Sequence, residues 1–216
     1  MSKKNLEILD KKLKRLEKVF TEKLLKFYSS LEKKLLKQYK NKTFFLSKSN
    51  IEKLKSLFIK YFKQVLKIAN FYFKRLLKRD NINQSVTADN IAYAQDLAGK
   101  QINDFRDTIE KAVKDNDDIG LSIIVLIKAK ALAFKNMRAR STAETMSNMI
   151  VNELAINEYT KSNIEKVRFT AVLDDRTSEI CRPKDGLIFN IGSVELLNNT
   201  PPLHCYCRSY LVPVSY

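Results

Sequence analysis

A chain of 216 residues, 44% hydrophobic and 30% charged, can hold one or two domains and is too apolar for wholesale disorder, which needs low hydrophobicity together with high net charge. No run of about 18 apolar residues occurs, so no spanning helix is expected; the longest apolar stretch, Leu121 to Phe134, is interrupted by Lys128 and Lys130. The net charge of +16 sits at one end: residues 1–80 hold 24 Lys/Arg against 7 Asp/Glu, and the remainder 16 against 17.

The opening MSKKNLEILD is charged and has no apolar h-region, so no secretory signal is expected and thiols are expected to stay reduced. Residues 4–40 then read as one long amphipathic helix. Leu6, Leu9, Leu13, Leu16, Phe20, Leu24, Phe27, Leu31 and Leu35 recur at intervals of three and four, which places them on one face. The stripe slips out of heptad register after Phe20, which disfavours a strict two-stranded coiled coil. Residues 41–50 break the pattern. Ser49 and Glu52 fit a capping box for a second helix to about Arg79, its inner face carrying Ile51, Leu54, Phe58, Tyr61, Val65, Ile68, Tyr72 and Leu76. The two helices are expected to form an antiparallel hairpin.

A polar break at 80–85 precedes a third helix, starting after Thr87 or Asp89. Ile91, Ala94, Ala98, Ile102, Phe105, Ile109 and Val113 would face inward, and the turn Asp115–Asp118, followed by Gly120, would end it. A fourth helical region spans about 121–160, with the polar stretch Arg138 to Glu144 as a candidate joint between two helices. After Ser162 the period changes to two. Val167, Phe169, Ala171 and Leu173 alternate with Arg168, Thr170 and Val172, which predicts a strand; Leu187 to Phe189 and Ser209 to Val214 are further short strand candidates. All four prolines (Pro183, Pro201, Pro202, Pro213), all three cysteines (Cys181, Cys205, Cys207) and the only histidine (His204) lie beyond residue 180. A proline-free helical body therefore gives way to a turn-rich tail.

That tail reads DDRTSEICRPKDGLIF, a spacer, then PPLHCYCRSYLVP. The pattern resembles the C-terminal domain of phage Mu F-like minor head proteins. Asp174, Asp175, Arg176 and Thr177 match the family's opening turn, Cys181 one of its cysteines, and Asp185-Gly186 its aspartate-glycine turn. Pro201, Pro202, His204, Cys207 and Arg208 match the closing motif. Upstream, Arg138 to Thr145 resembles the family's arginine/alanine-rich helix, so the likeness covers roughly residues 136–213. Two departures stand out: Ser178 and Ser209 occupy positions where many relatives carry cysteine, and Cys205 is additional. The resemblance implies a non-enzymatic minor capsid protein of the virion, assembled in the host cytoplasm. It also implies association with the phage portal protein and other capsid components, and action in head assembly, DNA packaging or DNA delivery.

The resemblance also implies a structural metal site. Zinc favours four thiolate or imidazole ligands in a tetrahedron, and Cys181, His204, Cys205 and Cys207 are all the Cys and His of the chain. Adjacent ligands at 204 and 205 strain simultaneous coordination. Cys181, His204 and Cys207 are therefore the better three, with Cys205, an aspartate or water as the fourth. The alternative is a metal-free loop held by packing and hydrogen bonds. Arg176 and Arg208 are expected to pair with Asp174, Asp175 or Asp185 and order the turns.

Catalytic readings are weaker. A zinc deaminase needs His-x-Glu ahead of Pro-Cys-x-x-Cys, and no His-x-Glu exists. A Cys–His nucleophilic pair based on His204 is outweighed by a structural role. Four scattered glycines offer neither a phosphate loop nor a dinucleotide fingerprint, so no small-molecule substrate is expected. The basic helices admit contact with DNA or an acidic partner through Lys11, Lys12, Lys14, Arg15, Lys33, Lys34, Lys74, Arg75, Lys78 and Arg79. The plainer reading has these lysines solvating a hairpin whose aromatics form its core. The expected fold is mainly α: a basic helical hairpin (1–80), a helical body (81–135) and a small α+β C-terminal domain (136–216) with a turn-rich knot suited to zinc. The alternative function is a basic nucleic-acid-binding helical protein with a zinc-knuckle-like tail.

Overall fold

The computed structural model describes residues 3–39, 44–115 and 122–214, with side chains from residue 7 onward and, after the second gap, from residue 123. The expected break at 41–43 and the turn over 116–120 lie outside the described residues, as does the side chain of Leu6. Among the described residues the order is α1 (Lys3–Gln38), α2 (Lys48–Leu77), α3 (Ala88–Lys114), α4 (Ser122–Lys161), β1 (Lys166–Thr170), β2 (Ile188–Asn190), α5 (Val194–Asn198) and β3 (Tyr210–Pro213). The protein is thus mainly α-helical with a small C-terminal strand and turn region, as the sequence patterning predicts.

The hydrophobic stripes form the core. Leu9, Leu13, Phe20, Leu24, Leu31 and Leu35 of α1 are all buried. At the middle of α1 it is Tyr28, not Phe27, that is fully enclosed. On α2 the buried face is wider than the simple stripe, adding Phe62, Leu66, Ala69 and Phe73. A helix enclosed on two sides needs an apolar arc broader than 100°. The pairs Lys34–Asn50, Phe20–Tyr61 and Lys12–Phe71 show α1 and α2 running antiparallel.

Helix ends follow local chemistry. The cap of α2 is Ser47 rather than Ser49: the Asn50 amide donates to the Ser47 carbonyl at 2.9 Å, and helix begins at Lys48. Ser49 and Glu52 lie inside that helix. Thr87 caps α3 in a reciprocal box with Asn90. Consequently Asn90 turns inward, and Ile91, expected inside, is 40% exposed. Helix α2 ends with Lys78 at φ +51° and the Arg79 amide on the Lys74 carbonyl. Helix α4 ends with Asn163 at φ +53° and the Ile164 amide on the Tyr159 carbonyl. Both are left-handed terminations of the Schellman type.

No joint divides α4. Arg138 to Glu144 lie within 40 unbroken helical residues, about 60 Å of rise. Ala139, Thr142 and Ala143 are buried there, so the stretch is a close-packed helical face whose polar residues are small or at its edges.

The chain divides into two compact units. One comprises Val19–Tyr61 and Val86–Arg140. Its centre is Tyr28, Phe105 and Phe134, with ring centroids 5.1–5.7 Å apart, within the favoured range for aromatic pairs. The Tyr28 hydroxyl donates to Gln101, and the half-buried pair Lys135–Glu32 closes at 2.8 Å.

The other unit comprises Met1–Lys18, Phe62–Ser85 and Ser141–Tyr216. It contains a three-stranded antiparallel sheet in the order β2-β1-β3, with Val167 opposite both Phe189 and Pro213. Val167 and Phe169 are buried. Strand pairing stops at Thr170 and Leu173 is 55% exposed, so the predicted alternation ends two residues early. The Asp185 carboxylate accepts the Ala171 amide at 2.8 Å and turns the chain out of the sheet.

Candidate metal centre

Two loops build the site. The first leaves β1 and is wound by Asp174 and Thr177. The Thr177 hydroxyl donates to the Val172 carbonyl (2.6 Å) and accepts the Asp174 amide (2.7 Å), and the Asp174 carboxylate accepts the Arg176 amide (2.9 Å). These local bonds replace a backbone ladder, as Asp and Thr commonly do in turns. The Ser178 carbonyl then accepts the Cys181 and Arg182 amides at 3.2 and 3.0 Å, and a 3-10 turn over Arg182–Lys184 follows. The Asp185-Gly186 corner closes the loop. Gly186 sits at φ +86°, a conformation that costs glycine little, and its amide donates to the Phe169 carbonyl.

The second loop carries His204 to Arg208. A buried Pro201 and half-buried Pro202, joined by a cis peptide, lead into it. The Cys207 amide donates to the His204 carbonyl (3.3 Å) and the Tyr206 amide to the Thr145 hydroxyl of α4 (3.3 Å). An ion pair joins the loops: Arg208 grips Asp174 with both guanidinium nitrogens, at 2.8 and 2.5 Å. The hydrogen bonds from Arg208 first, then the Arg176 amide and the Arg208 charge, hold the Asp174 carboxyl well below the usual carboxylate range. Arg176 faces Glu144 of α4 at 3.8 Å, not an aspartate of its own loop, and Asp175 is exposed.

Between the loops Cys181, His204 and Cys207 converge, their donor atoms all within 4.8 Å of one another. The two sulfurs are 3.8 Å apart, and the Cys181 sulfur lies 3.1 Å from His204 Nε2. Zinc–sulfur bonds of about 2.3 Å at a tetrahedral angle put two sulfurs about 3.8 Å apart, so this edge already has the required length. His204 Nδ1 faces the Cys205 carbonyl at 2.7 Å. A carbonyl only accepts, so the ring proton belongs on Nδ1 and the lone pair of Nε2 points at the sulfurs. That is the orientation by which metal-binding imidazoles are usually fixed. Cys181 and Cys207 are buried, and burial pushes the Cys207 thiol up; the backbone amides of Ser209 and Leu203, directed at that sulfur, act in the opposite sense. The donors fit a tetrahedral, thiophilic divalent ion such as zinc, which would cross-link the two loops. Cys205 is exposed and stands outside the group.

The basic residues lie elsewhere. Lys11, Lys12, Lys14, Arg15, Lys33, Lys34, Arg75 and Lys78 are exposed, while Lys74 and Arg79 are half-buried. Some already have partners: Lys14 on Asp10 at 2.6 Å, Lys34 on Asn50 at 2.8 Å, Arg79 on Ser162 at 2.7 Å, and Lys12 over the Phe71 ring at 4.4 Å.

Two features went unread in the sequence. Asn148 and Asn152 are buried amides on α4 that hold the final strand. Asn152 accepts the Leu211 amide at 2.9 Å, and Asn148 donates to the Ser209 carbonyl at 2.9 Å. The available signal was two asparagines four residues apart within Met146 to Leu154, a stretch that also holds Ser147 and Glu153. The other is the contact made by Ser178, read in the sequence only as a departure from cysteine: its hydroxyl lies 2.7 Å from His204 Nε2.

Residues 80–212 match the family described as phage Mu protein F like protein. The match spans more than half of the chain and contains both loops of the site, and the chain belongs to this family. Membership suggests a head morphogenesis protein of a phage. No curated protein and no solved structure matches the chain.

Proposed function

We propose that the protein is a non-enzymatic minor capsid component of a tailed phage or prophage. It associates with the portal in the capsid interior and acts in head assembly, DNA packaging or DNA delivery. The observation that carries this reading is the family match running through a knot whose two loops are clasped by Arg208 and Asp174. In this reading zinc at Cys181, His204 and Cys207 is structural: it fixes loops that a small sheet of three short strands cannot hold by core packing alone.

The surface supports a protein partner. Leu173, Ile180, Leu187, Ile188, Val194 and Leu197 are all more than 45% exposed within one 25-residue stretch. Such a concentration of exposed apolar side chains is a common mark of an interaction site. Among the described residues no helix is long and apolar enough to cross a membrane. The test is capture by the cognate portal protein, together with mass spectrometry of purified particles. The expected result is retention on portal and presence in particles; absence from both sinks the proposal.

A second reading, a basic nucleic-acid-binding protein with a zinc-knuckle-like tail, is favoured by the 24 cations against 7 acids in residues 1–80. It predicts tight, salt-sensitive binding to bare duplex and no portal capture.

A further inference from the structure

Three donors leave one corner of a zinc tetrahedron to fill, and geometry singles out one side chain for it. Ser178 Oγ lies 2.7 Å from His204 Nε2 and accepts the Cys181 amide at 3.2 Å. It is therefore packed against two of the three donor residues, on the half-buried side of the group. The turn that places it is tight: Ser178 and Cys181 are three residues apart, and the Cys181 and Arg182 amides both fold back onto the Ser178 carbonyl. Two side chains so spaced in such a turn face one point. A hydroxyl oxygen has two lone pairs. One receives the Cys181 amide. Without metal the hydroxyl proton is donated to His204 Nε2; once a cation takes the Nε2 lone pair, that proton turns to solvent and the second oxygen lone pair is left for the ion.

Cys205, the donor that composition alone would choose, is excluded by the same geometry. Its side chain is exposed, and its carbonyl already orients the His204 ring. We infer that the Ser178 hydroxyl is the fourth donor of the centre, giving a two-thiolate, one-imidazole, one-hydroxyl zinc site. Cys205 remains a surface thiol outside it. The inference rests on the reading that this centre holds metal.

Its chemical consequences are specific. Two thiolates neutralise one divalent cation, and a neutral hydroxyl adds no charge. The fourth bond is thus the weakest, and the ion exchanges more readily than from a site with a third thiolate. Position 178 sets the affinity and position 205 does not.

The experiment uses the full chain, stripped with chelator, titrated with Zn2+ against a competing chromogenic chelator and with Co2+ for its visible spectrum. Native protein is expected to bind one ion with a tetrahedral cobalt spectrum showing two thiolates. Cys205→Ser leaves affinity and spectrum unchanged. Ser178→Ala weakens binding by on the order of tenfold to a hundredfold, the usual effect of losing a supporting group at a metal site. Ser178→Cys tightens binding and adds a third thiolate-to-cobalt absorption, a readout that survives even if the alanine form folds poorly. Native uptake with Ser178→Ala unchanged, or with a thiolate lost in Cys205→Ser, overturns the inference and leaves the three-donor centre standing. No uptake by the native chain overturns both.

Discussion

A guanidinium clasps the two loops of the knot. Arg208 follows Cys207 directly, and Asp174 opens the loop that leads to Cys181, so the Arg208–Asp174 fork ties together the two segments that carry the sulfurs. A fork of two parallel bonds needs a planar donor, which lysine lacks. Arg208→Lys and Asp174→Asn should each speed amide exchange over residues 172–182 by on the order of tenfold, and the double variant should add nothing. Hydrogen exchange read by mass spectrometry tests this, and unaltered protection in Arg208→Lys would remove the clasp from the argument. Because the folded Asp174 carboxyl is held low, its contribution is present above the ordinary carboxylate range and fades only as pH falls into strong acid. Glu17 is the opposite case. Burial first, then the nearby Glu144 and Asp10, raises it from 4.5 to about 7, against the hydroxyl of Ser147, which donates to it. Between those values the folded chain holds a proton that the unfolded chain releases, so stability falls as pH rises through that window. Glu17→Gln should flatten that slope and gain on the order of 1–3 kcal/mol at pH 8 relative to native. Denaturant melts at pH 5 and pH 8 decide it; equal slopes in the two proteins would refute it.

At the scale of elements, the last strand is bolted to a helix by amides rather than by packing alone. Asn152 offers its oxygen to the Leu211 amide and its nitrogen to the Ser209 and Asn148 carbonyls, and the Tyr159 hydroxyl donates to the Leu211 carbonyl. Asn152→Ala would strand a buried backbone N–H and weaken a carbonyl, at a cost of about 2–4 kcal/mol. Urea melts of the two proteins measure it, and a loss under 1 kcal/mol would mean that water takes the place of the amide. The same helix shows where reading by pattern succeeds and fails. Leucine and phenylalanine spacing located α1, α2 and α3 because each buries one face against a neighbour. On α4 that signal fades: residues 146–155 are buried nearly all round, with Ser147, Asn148 and Asn152 among the enclosed side chains. A helix without an outer face has no stripe, so the polar run Arg138 to Glu144 looked like a joint. The five-residue α5 was invisible for a different reason: of Val194, Leu196 and Leu197 only Leu196 is buried, too little to make a period.

Over the whole molecule, the site was legible and the charge was not. Cys181, His204 and Cys207 could be picked out because thiols and imidazole are rare here and all fall in one tail. Asp174 was legible too, as one of three carboxylates expected to pair with Arg208 or Arg176, but which of them does so, and the hydroxyl of Ser178 beside His204, only the folded loops show. The lysines give no such convergence, and local partners divide them. Lys14 sits on Asp10, and Lys12 and Arg75 lie over Phe71. Lys11, Arg15 and Lys33 are exposed. A polyanion would engage these exposed cations first, and phosphate contacts leave a distinct signature, since each neutralised phosphate steepens the fall of affinity with salt by about 0.9 in the logarithmic slope. Lys11→Ala, Arg15→Ala and Lys33→Ala should therefore each reduce the salt slope for duplex DNA by about 1, equally for unrelated sequences. Filter binding or fluorescence anisotropy between 50 and 200 mM salt reads it. A slope near zero in the native chain would move these cations from DNA to an acidic protein surface, and the same three substitutions should then weaken capture by portal.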